Sequence, residues 1–176
     1  MQKLLRYAPA AFSLFASAVF LDSLRYKFSN AVQTQVIFGK LDAWAASFGA
    51  AGLFAQTGLF SQYVIGSAEL VASGLLLIGL FPRFRRLHAL GALVALAVMS
   101  GAVSFHLFTP LGVDPNNDGG GLFAAALTIW ATSLGLTIFR FRELVALGAD
   151  LARVFVPDHG AAAGARAPSH ASVRMP

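Results

Sequence analysis

One glutamate, Glu69, stands inside an otherwise apolar stretch, ten residues past Leu59 and so about 15 Å along a helix from it. A carboxylate in hydrocarbon either finds a partner or takes up a proton, and such groups mark ligand, ion or proton sites. The preceding apolar stretch ends in candidate partners: Arg25 is the first choice and Lys27 the second, with Asp22 beside them. Helical spacing puts Gln62, Gly66, Glu69 and Ser73 on one face, a polar and small-residue stripe suited to a helix interface. His106 adds a proton relay or a hydrogen-bond donor to a quinone-like carbonyl. Blander readings stand beside these: a buried pair that fixes helix register for Glu69, and for His106 a ring bonded to a loop carbonyl or to Asp118.

Asp114, Asn116 and Asp118, followed by Gly119, repeat the first half of a calcium-binding loop. Position twelve is Ala125 where a bidentate glutamate should be. The stretch therefore reads first as a turn whose Asp118 caps the next helix, and only second as a weak calcium site. Haem b needs two axial histidines at similar depth. His88 and His106 lie 18 residues apart on one helix, about 27 Å, and His159 and His170 fall near the C-terminus, so haem is not expected. With no cysteine there is no thiol relay and no iron–sulfur cluster. The pairs Ser13/Ser17, Ser100/Ser104 and Thr128/Thr132 have no base nearby in sequence and read as close helix packing. The polar groups thus gather at one mouth, and the opposite half holds almost nothing titratable.

These groups have to be positioned by membrane helices. Of 176 residues 57% are hydrophobic and only 12% charged, about half the charge of a soluble domain, with a mean hydropathy of +0.68. That excludes a disordered chain, a disulfide scaffold and an ordinary soluble globule. Spans of roughly 20 apolar residues are expected at about 7–24, 59–81, 87–108 and 121–139. An alternative for the first is a signal peptide cut near Ala16-Ser17-Ala18. With four spans, ten of the thirteen Lys and Arg fall on one side, which makes that side and both termini cytoplasmic in a bacterial inner membrane. The pI of about 10.2 is then a topology signal, with weak attraction to anionic lipid, and not a nucleic-acid footprint. In the outer loop 29–58, Ile37, Leu41, Trp44 and Phe48 form one helical stripe, for a helix lying in the membrane interface or capping the bundle mouth. Leu144, Leu147, Leu151 and Val154 make an amphipathic cytoplasmic helix over 141–156, and the composition of 157–176 predicts a disordered tail. The fold class is all-α, a polytopic four-helix transmembrane bundle.

Over about residues 5–140 the chain resembles the DoxX-like family of small bacterial membrane proteins. The resemblance rests on Leu24-Arg25-Tyr26-Lys27-Phe28, Phe60-Ser61-Gln62 with Glu69, Phe105-His106-Leu107 and Asp118-Gly119-Gly120-Gly121-Leu122-Phe123. It implies a four-helix membrane bundle. Some relatives are associated with quinone-linked oxidation of sulfur compounds and others with maturation of redox enzymes; most have no assigned activity. It supplies no agreed catalytic set, and the lack of cysteine departs from the family's cysteine-dependent branches. The expected function is an accessory or subunit of a quinone-linked membrane redox system, partnered by the bilayer and a redox enzyme. The alternative is a small homo-oligomeric transporter or proton-coupled carrier. An autonomous enzyme is least supported, because no nucleophile–base pair or cofactor motif appears.

Overall fold

The computed structural model describes residues 2–155, with side chains from residue 7 onward. All of its regular structure is helical: α1 (Gln2–Phe28), α2 (Val32–Ala46), α3 (Gln62–Ile78), α4 (Arg85–Phe108), α5 (Gly121–Phe139) and α6 (Phe141–Phe155), with a 3-10 turn at Pro82–Phe84 before α4. The tail expected at 157–176 lies outside the described residues. Three segments are long and apolar enough to cross a membrane: Tyr7–Phe28, Pro82–Phe108 and Gly121–Phe139.

The segment expected to span 59–81 is shorter. Its helix, α3, has 17 residues, about 25 Å, against a hydrocarbon core of about 30 Å. Local hydrogen bonding sets both ends. The Phe60 N–H turns back to Leu53 O, and Ser61 caps the helix by accepting the Val64 N–H at 3.3 Å. At the far end Leu80 and Phe81 donate to Leu77 and Ile78 in a tightening turn, and Pro82 stops the run. The first span extends beyond its expected end instead, to Phe28, because nothing in Arg25-Tyr26-Lys27-Phe28 breaks a helix.

α3 packs between α1 and α4, and α4 packs against α5, whereas α1 and α5 touch sparsely. The α3–α4 crossing is close because it is built on glycine. A Cβ on Gly91 would stand 2.8 Å from Leu76 N, and one on Gly79 would collide with His88 Cα. Phe20, Leu76 and Ile129 fill the main core, together with Ala72, Ala92 and Ala95, whose short side chains let the backbones approach. A second core forms where α2 lies across the ends of α1 and α4. There Leu41 and Ala45 bury against Phe54 and Leu111, and Phe105 meets Phe54 edge-on at 5.2 Å. Asp42 fixes that layer by accepting the Phe54 N–H at 3.0 Å. Of the expected α2 stripe, Ile37, Leu41 and Trp44 pack inward; Phe48 lies past the helix end and is exposed.

Candidate functional site

α1 carries two stripes at its C-terminal end. Phe20, Leu24 and Lys27 face α3, and Ser23 shares that side. Asp22 and Arg25 point the other way, toward solvent. Lys27 Nζ lies 2.8 Å from Glu69 Oε2 and 2.9 Å from Oε1, and its third N–H goes to Ser23 Oγ at 2.9 Å. Ser23 in turn donates to Glu69 Oε2 at 2.6 Å. The Glu69 side chain is only 4% exposed and that of Lys27 16%. Lys27, the second choice from sequence, is therefore the partner. Arg25 is not: it pairs with Asp22 at 3.0 Å, both more than half exposed, and donates to the Tyr26 hydroxyl. The reason is angular. Two residues on a helix turn about 200°, so Arg25 and Lys27 cannot both face α3.

The expected α3 face is present, with Gln62, Gly66, Glu69 and Ser73 all buried. Gln62 does not reach Glu69. It donates to Lys27 O at 2.8 Å and Asn30 Oδ1 at 2.9 Å, tying down the end of α1 where helix carbonyls lack partners. Ser73 bonds back to Glu69 O.

Lys27, Glu69 and Ser23 border a cavity of about 390 Å³ that also receives His106. Its other walls are almost wholly apolar: Val19 and Phe20 from α1, Ala126 and Ile129 from α5, and Ile37 and Phe38 from α2 above. An apolar cleft of this size with a few convergent polar groups is the usual form of a small-molecule site. The His106 ring is held by its Nδ1, 2.6 Å from Gly112 O, and packs 5.4 Å from the Phe123 ring. The loop-carbonyl reading of His106 thus describes one nitrogen, while the ring still lines the cavity.

The Asp114–Asp118 stretch spends its carboxylates on backbone amides. Asp114 Oδ1 accepts the Asp118 N–H at 2.7 Å, and Asp118 accepts from Gly120 at 3.0 Å and Leu122 at 2.8 Å. The Leu122 amide above all, with Asp114 and the Gly120 amide, holds the Asp118 carboxyl below the usual carboxylate range. Asp118 thereby serves the first turn of α5 as expected, although Gly120 occupies the capping position itself. No hydrogen bond among the described residues joins Asn116 to either aspartate, and no group of three or more His, Asp or Glu there is arranged to hold a metal.

The opposite end corrects the expectation that it holds almost nothing titratable. His88, 1% exposed, brings Nε2 to 2.7 Å from Ser13 Oγ, which also donates to Pro9 O at 2.8 Å. Serine does have a base beside it, 75 positions away in sequence. It is not a nucleophile's arrangement, because Ser13 already spends its proton on Pro9 and no third residue orients the His88 ring. Arg140, largely buried, pairs with Glu143 at 3.2 Å nearby. Among the described residues the buried side-chain atoms without a hydrogen-bond partner are Ser17 Oγ, His88 Nδ1, Thr137 Oγ1 and Arg140 Nε.

Comparison with known proteins returns no match: no family model, no curated protein and no solved structure is similar to this chain.

Proposed function

We propose that α1, α3, α4 and α5 form a four-span bundle of a bacterial inner-membrane protein, with both termini cytoplasmic and α2 capping the outer mouth. In this reading it is an accessory or subunit of a quinone-linked redox system, of the DoxX-like kind, that holds an apolar small molecule in the cavity beneath α2. The observation that carries the proposal is the cavity: about 390 Å³, apolar, with Lys27, Glu69, Ser23 and His106 at its rim. The charge asymmetry supports the orientation, since Arg83, Arg85, Arg86, Arg140 and Arg142 cluster at the end away from the cavity. α3, though short, is flanked by the apolar turns Leu59–Phe60 and Leu80–Phe81, which lengthen its hydrophobic reach. Purification from the native membrane in mild detergent tests the proposal. A redox partner and a co-extracted quinone are expected in the eluate; a chain that elutes alone, with no lipophilic molecule, would sink it.

A second reading, a small oligomeric proton-coupled carrier, draws on one feature: polar clusters at both ends, around Glu69 and around His88, separated by the Phe20–Leu76–Ile129 layer. Unchanged uptake or efflux by Glu69→Gln vesicles counts against it.

A further inference from the structure

The polar rim of the cavity is unequally satisfied, and that inequality selects a ligand. At one side Lys27 has all three N–H groups engaged, two on Glu69 and one on Ser23, and Ser23 spends its own proton on Glu69. The pair is neutral as a unit and has no donor left to offer. A charged head group would have to break it, leaving a buried charge exposed to an apolar wall. At the other side the His106 ring has one nitrogen fixed by chemistry. A backbone carbonyl only accepts, so the bond to Gly112 O places the proton on Nδ1. In the neutral ring Nε2 is then a bare acceptor, and no hydrogen bond among the described residues reaches it. The ring lines the cavity.

We infer that the cavity binds an uncharged apolar molecule carrying a hydroxyl donor, which His106 Nε2 accepts. This inference rests on the reading of the cavity as a ligand site. Within the quinone class it selects the reduced, hydroxyl-bearing form over the oxidised form, which offers only carbonyl acceptors. Lys27 and Glu69 set the charge limit, and Phe20, Ile129 and the α2 residues Ile37 and Phe38 supply the apolar surface.

The test compares 4-heptylphenol with its O-methyl ether, two probes of nearly equal apolar surface that differ in the donor. Binding to the full chain in nanodiscs is measured by equilibrium dialysis, with empty nanodiscs of the same lipid subtracted. One neutral hydrogen bond predicts about tenfold tighter binding of the phenol. His106→Phe, which keeps a ring but no acceptor, should bring that ratio close to one. Equal binding of the two probes by the wild-type chain, or tighter binding of the ether, overturns the donor preference while leaving the cavity as a site. Binding of neither above the empty discs overturns the site and the preference together. The wild-type ratio decides the matter even if the variant does not fold.

Discussion

Lys27 and Glu69, 42 positions apart, saturate one another: every ammonium proton of Lys27 is placed on the carboxylate or on Ser23, which itself donates to that carboxylate. A closed unit of this kind contributes to stability through its completeness. Lys27→Met should destabilise the chain by about 3 kcal/mol, because Glu69 is left buried with Ser23 alone. Replacing both as Lys27→Met with Glu69→Leu should recover most of that loss. Unfolding of purified protein in micelles measures both; a double variant as weak as the single would show that the pair is not self-contained.

Asp118 makes the stability of the chain depend on pH. Its carboxyl is depressed chiefly by the Leu122 amide, so its contribution is complete above the ordinary carboxylate value of 3.8 and disappears as pH falls through the lower folded value. At pH 7 Asp118→Ala should cost about 1 kcal/mol, in the range of a lost helix cap. The gap between wild type and variant should close in titrations below pH 3.8. A gap that persists undiminished well below that value would mean the charged carboxylate is not its source.

Ser13 and Ser17 are alike in sequence, one turn apart and both nearly fully buried, yet their hydroxyls differ. Ser13 meets His88 and Pro9, whereas Ser17 Oγ has no partner. Ser13→Ala should therefore cost about 2 kcal/mol, since it strips a buried imidazole of its bond, while Ser17→Ala should be neutral or slightly stabilising. The same unfolding assay ranks them, and the reverse order would refute the assignment.

α6 buries none of its residues fully and leaves Phe141, Val145, Leu151 and Phe155 exposed along one side, with Arg142 and Arg153 on another. On the proposed topology that apolar side lies in the cytoplasmic leaflet. The natural absence of cysteine allows single nitroxide labels. A label at Leu151→Cys in bilayers containing anionic lipid should be relaxed by oxygen and shielded from a water-soluble nickel chelate, and one at Arg142→Cys the reverse. Equal accessibility of both labels would place α6 in water.

The apolar runs made most of the helices legible. α5 begins and ends where expected and α4 begins two residues early, because long uncharged stretches bounded by arginine, proline or an Asp-Gly turn leave little freedom. Hydropathy overestimates α3 at both ends, since Leu59, Phe60, Leu80 and Phe81 are apolar yet belong to turns, and hydropathy does not separate the two. In the site, Glu69 and its face were readable from spacing. The choice between Arg25 and Lys27 was also written there: Lys27 continues the stripe Phe20–Leu24, while Arg25 has its own counter-ion three residues back at Asp22. The Ser13–His88 bond carried no comparable signal. It joins α1 and α4, which run parallel on either side of α3, and their relative height follows from how glycines 79 and 91 let α4 close on α3, a tertiary fact.

The sparse contact between α1 and α5 gives the packing a seam. Val19 and Phe20 on one side and Ala126 and Ile129 on the other both line the cavity. On the proposed topology that seam would face acyl chains, whereas α2 and its aromatic layer would cover the watery end. A greasy molecule would reach His106 sideways, by lateral diffusion out of the lipid. Its occupancy would then follow its abundance in the membrane, a reservoir in which even a compound scarcely soluble in water is plentiful.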